Sequence, residues 1–116
     1  MLIFVYGSLR GGHPYLGDAE SLGLGTAKGY TLINLGAFPG MIPEESGHVI
    51  GEVFNVDPDQ FQVLDHFEGG SYQRKRVAVQ IEGRKAPLHC QAYVFRYRPR
   101  GFHMETFADW YTYSEN

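Results

Sequence analysis

The feature that most constrains this chain is the unbroken apolar run Leu2-Ile3-Phe4-Val5-Tyr6, stopped at once by Gly7-Ser8. A run with no polar alternation leaves no face for water, so it reads as a strand buried on both faces at the centre of a sheet. The glycine lets the backbone turn where the strand stops. Covering such a strand on both sides takes one well-filled core, and 116 residues that are 43% hydrophobic meet that need as a single domain spanning 1–116. Eight Tyr, eight Phe and one Trp bury large areas per side chain, which suits a small barrel or sheet.

The rest of the chain supplies the covering elements. Arg10 to Leu22 holds Gly11-Gly12, Pro14 and Gly17 and reads as a loop with at most one short helical turn. A second strand is expected from Ala27 to Leu35, broken by Gly36-Ala37-Phe38-Pro39-Gly40. A third runs from His48 to Val56, where Gly51 marks a bulge or a close backbone approach. Asp57-Pro58-Asp59-Gln60 predicts a helix start, with Asp57 as cap, Pro58 in the first helical position and Gln60 closing a capping box. That helix runs to Phe67 or Glu68 and ends at Gly69-Gly70. Tyr72 to Ile81 and Leu88 to Tyr97 read as paired strands about a turn at Glu82-Gly83-Arg84-Lys85. In the second of these, Leu88, Cys90, Ala92 and Val94 share the packed face, while His89, Gln91, Tyr93, Phe95 and Tyr97 line a cavity or face water. Phe102 to Trp110 forms a helix or a covering segment.

Within the predicted helix Phe61, Leu64 and Glu68 fall at i, i+3 and i+7, so the carboxylate continues the apolar stripe. There, loss of hydration and the negative end of the helix dipole both raise its pKa towards neutrality. If the helix stops one residue sooner, Glu68 splays into water instead. Tyr6-Gly7-Ser8-Leu9 is either an ordinary tight turn or a nest of backbone N–H groups able to hold a carboxylate. It lacks the Gly-Lys-Ser/Thr ending of a phosphate loop, and Ser8 lacks the flanking glycines of a hydrolase nucleophile. Glu52, on a strand face with Ile50, Phe54 and Val56, is a rival inward carboxylate, and Asp65 reads as solvated. His13, His48, His66, His89 and His103 show no metal-ligand spacing with one another or with Cys90, which reads as a small buried strand residue. A net charge of −3, with only short basic groupings at Arg74-Lys75-Arg76 and at Arg96, Arg98 and Arg100, disfavours a nucleic-acid partner. A lone cysteine and an opening apolar run too short for a signal peptide point to the cytoplasm, with no membrane attachment.

Val5-Tyr6-Gly7-Ser8-Leu9-Arg10, Phe38-Pro39-Gly40, Gly51-Glu52-Val53-Phe54 and above all Leu64-Asp65-His66-Phe67-Glu68-Gly69 followed by Tyr72-Gln73-Arg74 resemble, in order and spacing, the γ-glutamylcyclotransferase-like (AIG2-like) family. The resemblance implies an α+β fold, a small mixed β-barrel with short flanking helices, and a cavity whose mouth is lined by Tyr6, Gly7, Ser8 and Leu9. It implies conversion of a γ-glutamyl peptide or amine to 5-oxoproline plus free amine by internal aminolysis. Glu68 would act as the acid/base, the N–H groups around Gly7, Ser8 and Leu9 would hold the α-carboxylate, and Tyr72 would orient the glutamyl part. Some similar proteins lack this glutamate; here it is present. No metal or organic cofactor is implied, and the chain would act as a monomer or weak homodimer on a small molecule. The resemblance is poor over Arg96 to Asn116 and Gly11 to Leu22, the segments expected to rim the cavity. The rival reading is a non-catalytic module that binds a carboxylate or γ-glutamyl metabolite. Glu68 together with Tyr72 favours the enzyme, since binding an anion gains little from an added buried carboxylate.

Overall fold

In the computed structural model, which describes residues 1–7, 10, 16–98 and 105–114, the opening apolar run forms β1 (Leu2–Val5). It pairs antiparallel with β3 (Pro39–Asn55), Val5 opposite Glu52, and parallel with β5 (Leu88–Phe95), Ile3 opposite Gln91. Strand alternation then sends Phe4 and Tyr6 into one apolar cluster with Val53, Val79 and Ala92, and Ile3 and Val5 into another with Phe54, Phe61 and Leu64. The first cluster draws on five strands and is the barrel interior. The second lies between the outer face of the sheet and α1 (Gln60–Glu68), so β1 is buried on both faces as its composition demands.

The strand order β3-β1-β5-β4-β2 closes through a direct β2–β3 pairing, with β2 at Glu20–Asn34 and β4 at Tyr72–Ile81. Every neighbour is antiparallel except β1 and β5, so this is the small mixed β-barrel of an α+β fold, flanked by α1 and the short α2 (Trp110–Ser114). A two-residue strand, β6 (Thr106–Phe107), adds to β2. No helix among the described residues is long and apolar enough to cross a membrane.

Several boundaries differ from those read in the sequence. β2 begins at Glu20 rather than Ala27, because glycines that read as loop signals serve the strand: Gly23 (φ +103°) sits at a bulge, and Gly25 lies so close to β4 that a Cβ would meet Val79 Cγ1. β3 begins at Pro39 rather than His48, and the polar stretch 44–47 loops out where pairing jumps from Lys28–His48 to Tyr30–Pro43. Gly51 is a close approach, not a bulge, since a Cβ there would run into the Val5 carbonyl and the Phe4 ring. The expected capping box is absent. Asp59 precedes the helix with no side-chain cap bond, and the entry is a tight turn in which the carbonyls of Asp57, Pro58 and Asp59 accept from Gln60, Phe61 and Gln62. β5 ends at Phe95, short of Tyr97. In the tail, 105–110 is a covering segment: Phe107 and Trp110 pack on the interior cluster, and a helix starts only at Trp110. Residues 102–104 of that expectation lie outside the described residues.

Candidate active site

The topology brings one set of residues to one end of the barrel. Because β1 and β5 run parallel, both reach that end at their C-termini, delivering Tyr6-Gly7 and Tyr93. β4 and β3 are antiparallel to them and so begin there, with Tyr72 and with Pro39 beside Phe38. α1 joins β4 through Gly69-Gly70, so its last turn, with Phe67 and Glu68, must end there too. These residues line a cavity of about 310 Å³.

The helix stop places the carboxylate. The Gly69 amide donates to the Asp65 carbonyl at 3.1 Å and the chain then leaves the helix with φ +74°, a conformation that glycine adopts without strain. Glu68 is thereby the last helical residue, on the stripe of the buried Phe61 and Leu64, half-buried at the cavity wall. Loss of hydration pushes its pKa from 4.5 up to about 7. Arg74, the cation that could have opposed this, is engaged elsewhere, 3.6 Å from Asp65 and 4.5 Å from the centre of the Phe61 ring.

Tyr6 and Tyr72 face the same space, as does Tyr93. The Tyr6 hydroxyl donates to the Tyr93 carbonyl at 2.5 Å, and the Tyr72 hydroxyl donates to the Pro39 carbonyl at 2.9 Å. Burial first, and then the negative potential of Tyr72 and Glu68, drives the Tyr6 pKa well up, although a backbone hydrogen bond from Met41 pulls the other way. Burial and then Glu68 raise Tyr72 likewise. Gly7 meets the cavity where Pro39 crosses it: a Cβ on Gly7 would sit 3.2 Å from the proline ring. The Arg10 amide donates to the Gly7 carbonyl at 3.1 Å, while Ser8 and Leu9, both expected to hold substrate, lie outside the described residues.

The rival carboxylates are separated from this space. Glu52 takes a 2.7 Å hydrogen bond from Ser21 Oγ and is not among the cavity-lining residues. Asp65 is exposed as expected, yet it accepts a 2.6 Å hydrogen bond from Tyr93 and pairs with Arg74. Cys90 is buried in β5, its thiol pushed up to about 11 by burial. Among the described residues no three His, Cys, Asp or Glu side chains gather as a metal would require. The reading from residues alone gave no role to Phe38, Pro39 or Phe67. The alternation of β5 had put Tyr93 on a cavity-facing side, but nothing local could say that Pro39 would supply the acceptor for Tyr72.

Residues 3–112 match the family described as gamma-glutamyl cyclotransferase, AIG2-like. The gamma-glutamylcyclotransferase family protein YtfP of Escherichia coli K12 is 39% identical over 82 residues, covering 66% of this chain and 72% of that protein. The gamma-glutamylaminecyclotransferase of Bos taurus is 33% identical over 129 aligned positions, covering 93% and 74%. The crystal structure of an AIG2-like protein from Mus musculus superposes with a TM-score of 0.81 at 27% identity, covering 94% of this chain and 86% of that one.

Proposed function

Since the chain belongs to the gamma-glutamyl cyclotransferase, AIG2-like family, we propose that it is an enzyme converting a γ-glutamyl peptide or amine to 5-oxoproline, with Glu68 carrying the proton. The observation that supports this most is a carboxylate whose pKa is raised to about 7 at the wall of a cavity that also holds Tyr6 and Tyr72. Near neutral pH both forms of such a group are populated, so it can accept a proton and give it back. Glu68 takes a proton from the substrate's α-ammonium, and the freed nitrogen attacks the γ-carbonyl carbon. As the new C–N bond closes the five-membered ring, the proton passes from Glu68 to the departing nitrogen and the old amide C–N bond breaks. The ring nitrogen gives up its second proton, which Glu68 carries to the released amine, leaving a neutral lactam and an ammonium. Atoms balance with no added water.

Tyr72 suits the orienting role because its proton is already given to Pro39, leaving its oxygen free to accept from the substrate's ammonium. The backbone from Gly7 to Leu9 would take the α-carboxylate. Ring closure is unimolecular, so the site's main work is to hold the folded substrate with its amine neutral. The test is a panel of γ-glutamyl amino acids, γ-glutamyl amines and glutathione, read as 5-oxoproline release. Turnover of at least one that is lost in Glu68→Gln is the expected result. Binding without release across the panel would instead favour a non-catalytic metabolite-binding protein.

A further inference from the structure

The C-terminal segment reaches across to Arg10, beyond Gly7 in the chain. The Arg10 side chain is only 8% exposed and that of Asp109 22%, with Nη1 2.9 Å from Asp109 Oδ1. Its guanidinium carbon stands 4.0 Å from the centre of the Tyr111 ring, and the Tyr111 hydroxyl donates to the Arg10 carbonyl at 2.9 Å. Asp109 is held in turn: its Oδ1 also accepts from the Tyr111 amide at 3.0 Å. The segment is moored to the barrel wall, where the Ile50 amide donates to the Ala108 carbonyl at 2.8 Å and Thr31 Oγ1 donates to the Phe107 carbonyl at 3.1 Å. A continuous set of bonds therefore runs from the barrel through Asp109 and Tyr111 to Arg10, whose own amide donates to Gly7.

Stability alone gives little reason for a partly buried charged pair here, since an apolar side chain in place of Arg10 could fill the same space at similar free energy. What the pair, the ring contact and the carbonyl bond supply together is a fixed position for the backbone at Arg10. We propose that Arg10 is a positioning residue which, held by Asp109 and Tyr111, fixes its own backbone and, through the bond of its amide to the Gly7 carbonyl, the Gly7 edge of the site proposed above for the substrate's α-carboxylate. The C-terminal segment 105–114 is then part of the active-site scaffold. This rests on the function proposed above for the loop.

The test uses Asp109→Asn, which keeps the shape but leaves Arg10 unneutralised, and Tyr111→Phe, which removes only the hydroxyl. For the γ-glutamyl substrate best used by the unaltered protein, KM is expected to rise about tenfold in Asp109→Asn and about threefold in Tyr111→Phe, with kcat within about twofold and its acid limb unmoved. Exposing the positive charge of Arg10 would by itself tighten anion binding, so a lower KM in Asp109→Asn overturns the positioning role. Amide hydrogen exchange gives a second readout: the Arg10 amide should exchange faster in both variants while the β1 amides do not change. Unchanged KM and unchanged Arg10 exchange overturn the proposal, as does a joint loss of kcat and melting temperature in Tyr111→Phe with KM constant. If the unaltered protein releases 5-oxoproline from nothing, the functional reading fails separately, and Arg10 exchange alone decides whether Asp109 and Tyr111 hold the loop.

Discussion

A carboxylate kept at a pKa near 7 destabilises the protein that keeps it, and Glu68→Gln measures that without any substrate. The folded-state pKa is about 7 against an ordinary value of 4.5, so the folded protein binds the proton more tightly than the unfolded chain. The resulting stabilisation is fully present below about pH 4.5 and is lost as pH rises through about 7. A displacement of this size corresponds to about 3 kcal/mol between the fully protonated and fully ionised limits, most of it falling between pH 5 and 8. Glu68 is half-buried, so solvent screening reduces the expected change over that interval to about 2 kcal/mol. Glutamine keeps the shape and does not titrate, and every other ionisable group is common to both proteins. Relative to wild type, Glu68→Gln should therefore gain about 2 kcal/mol between pH 5 and pH 8, read as a urea-midpoint difference that grows by about 1 M. A difference that stays constant with pH to within about 0.5 kcal/mol would mean that Glu68 titrates as a solvated glutamate, and the acid/base argument would lose its physical basis.

In single-turnover rates the acid limb should lie near pH 7, the rate rising with pH as Glu68 ionises, and Arg74→Met should leave it in place to within about 0.3 pH units because Arg74 is paired with Asp65. A limb that rises in Arg74→Met would show that the guanidinium acts on Glu68 after all. Tyr72→Phe removes the hydroxyl bonded to the Pro39 carbonyl; kcat/KM should fall about tenfold and stability by about 1 kcal/mol, and unchanged kinetics would count against the orienting role. Gly51→Ala puts a methyl against the Val5 carbonyl and the Phe4 ring and should lose about 2 kcal/mol or more in urea unfolding, whereas Gly70→Ala, which meets nothing within 4 Å, should stay within about 0.5 kcal/mol.

What the sequence made legible were features with local causes. The apolar run at Leu2, the Gly69-Gly70 stop and the alternation of Val77, Val79 and Ile81 each follow from neighbours in the chain, and β1, the end of α1 and β4 stand where those signals put them. The glycine pair left one residue of play, Phe67 or Glu68, and with it the choice between a carboxylate on the stripe and one in water; the bond of the Gly69 amide to the Asp65 carbonyl closes that choice. The starts of β2 and β3 were hidden because Gly23, Gly25, Pro39 and Pro43 carry the chemistry of breaks, and only the partner strands decide that they serve bulges, close contacts and strand edges. Glu52 shows the same limit in reverse: alternation groups it with Phe54 correctly, but at its end of the strand that face meets Ser21. The ion pair of Arg10 with Asp109 joins residues 99 apart, and no local pattern announces it.

The proton inventory of the cavity explains why one carboxylate has to serve both halves of the proposed reaction. Besides Glu68, the titratable side chains lining it among the described residues are Tyr6, Tyr72 and Tyr93. Burial leads the causes that raise all three above their ordinary value of 10, and each commits its proton to an oxygen, on Tyr93, Pro39 and Asp65 respectively. None of them can act as a base at neutral pH, and each can still accept a hydrogen bond. A lysine or arginine in their place would pull the Glu68 pKa back down by direct attraction, and Arg74 is held away from it on Asp65. Internal aminolysis takes two protons from the ammonium as it becomes a lactam N–H and delivers both to the departing nitrogen, with no net exchange. A wall of neutral phenols around a single carboxylate with a pKa of about 7 can relay both, one at a time, since the protons that leave the substrate's ammonium are the ones its departing nitrogen takes up.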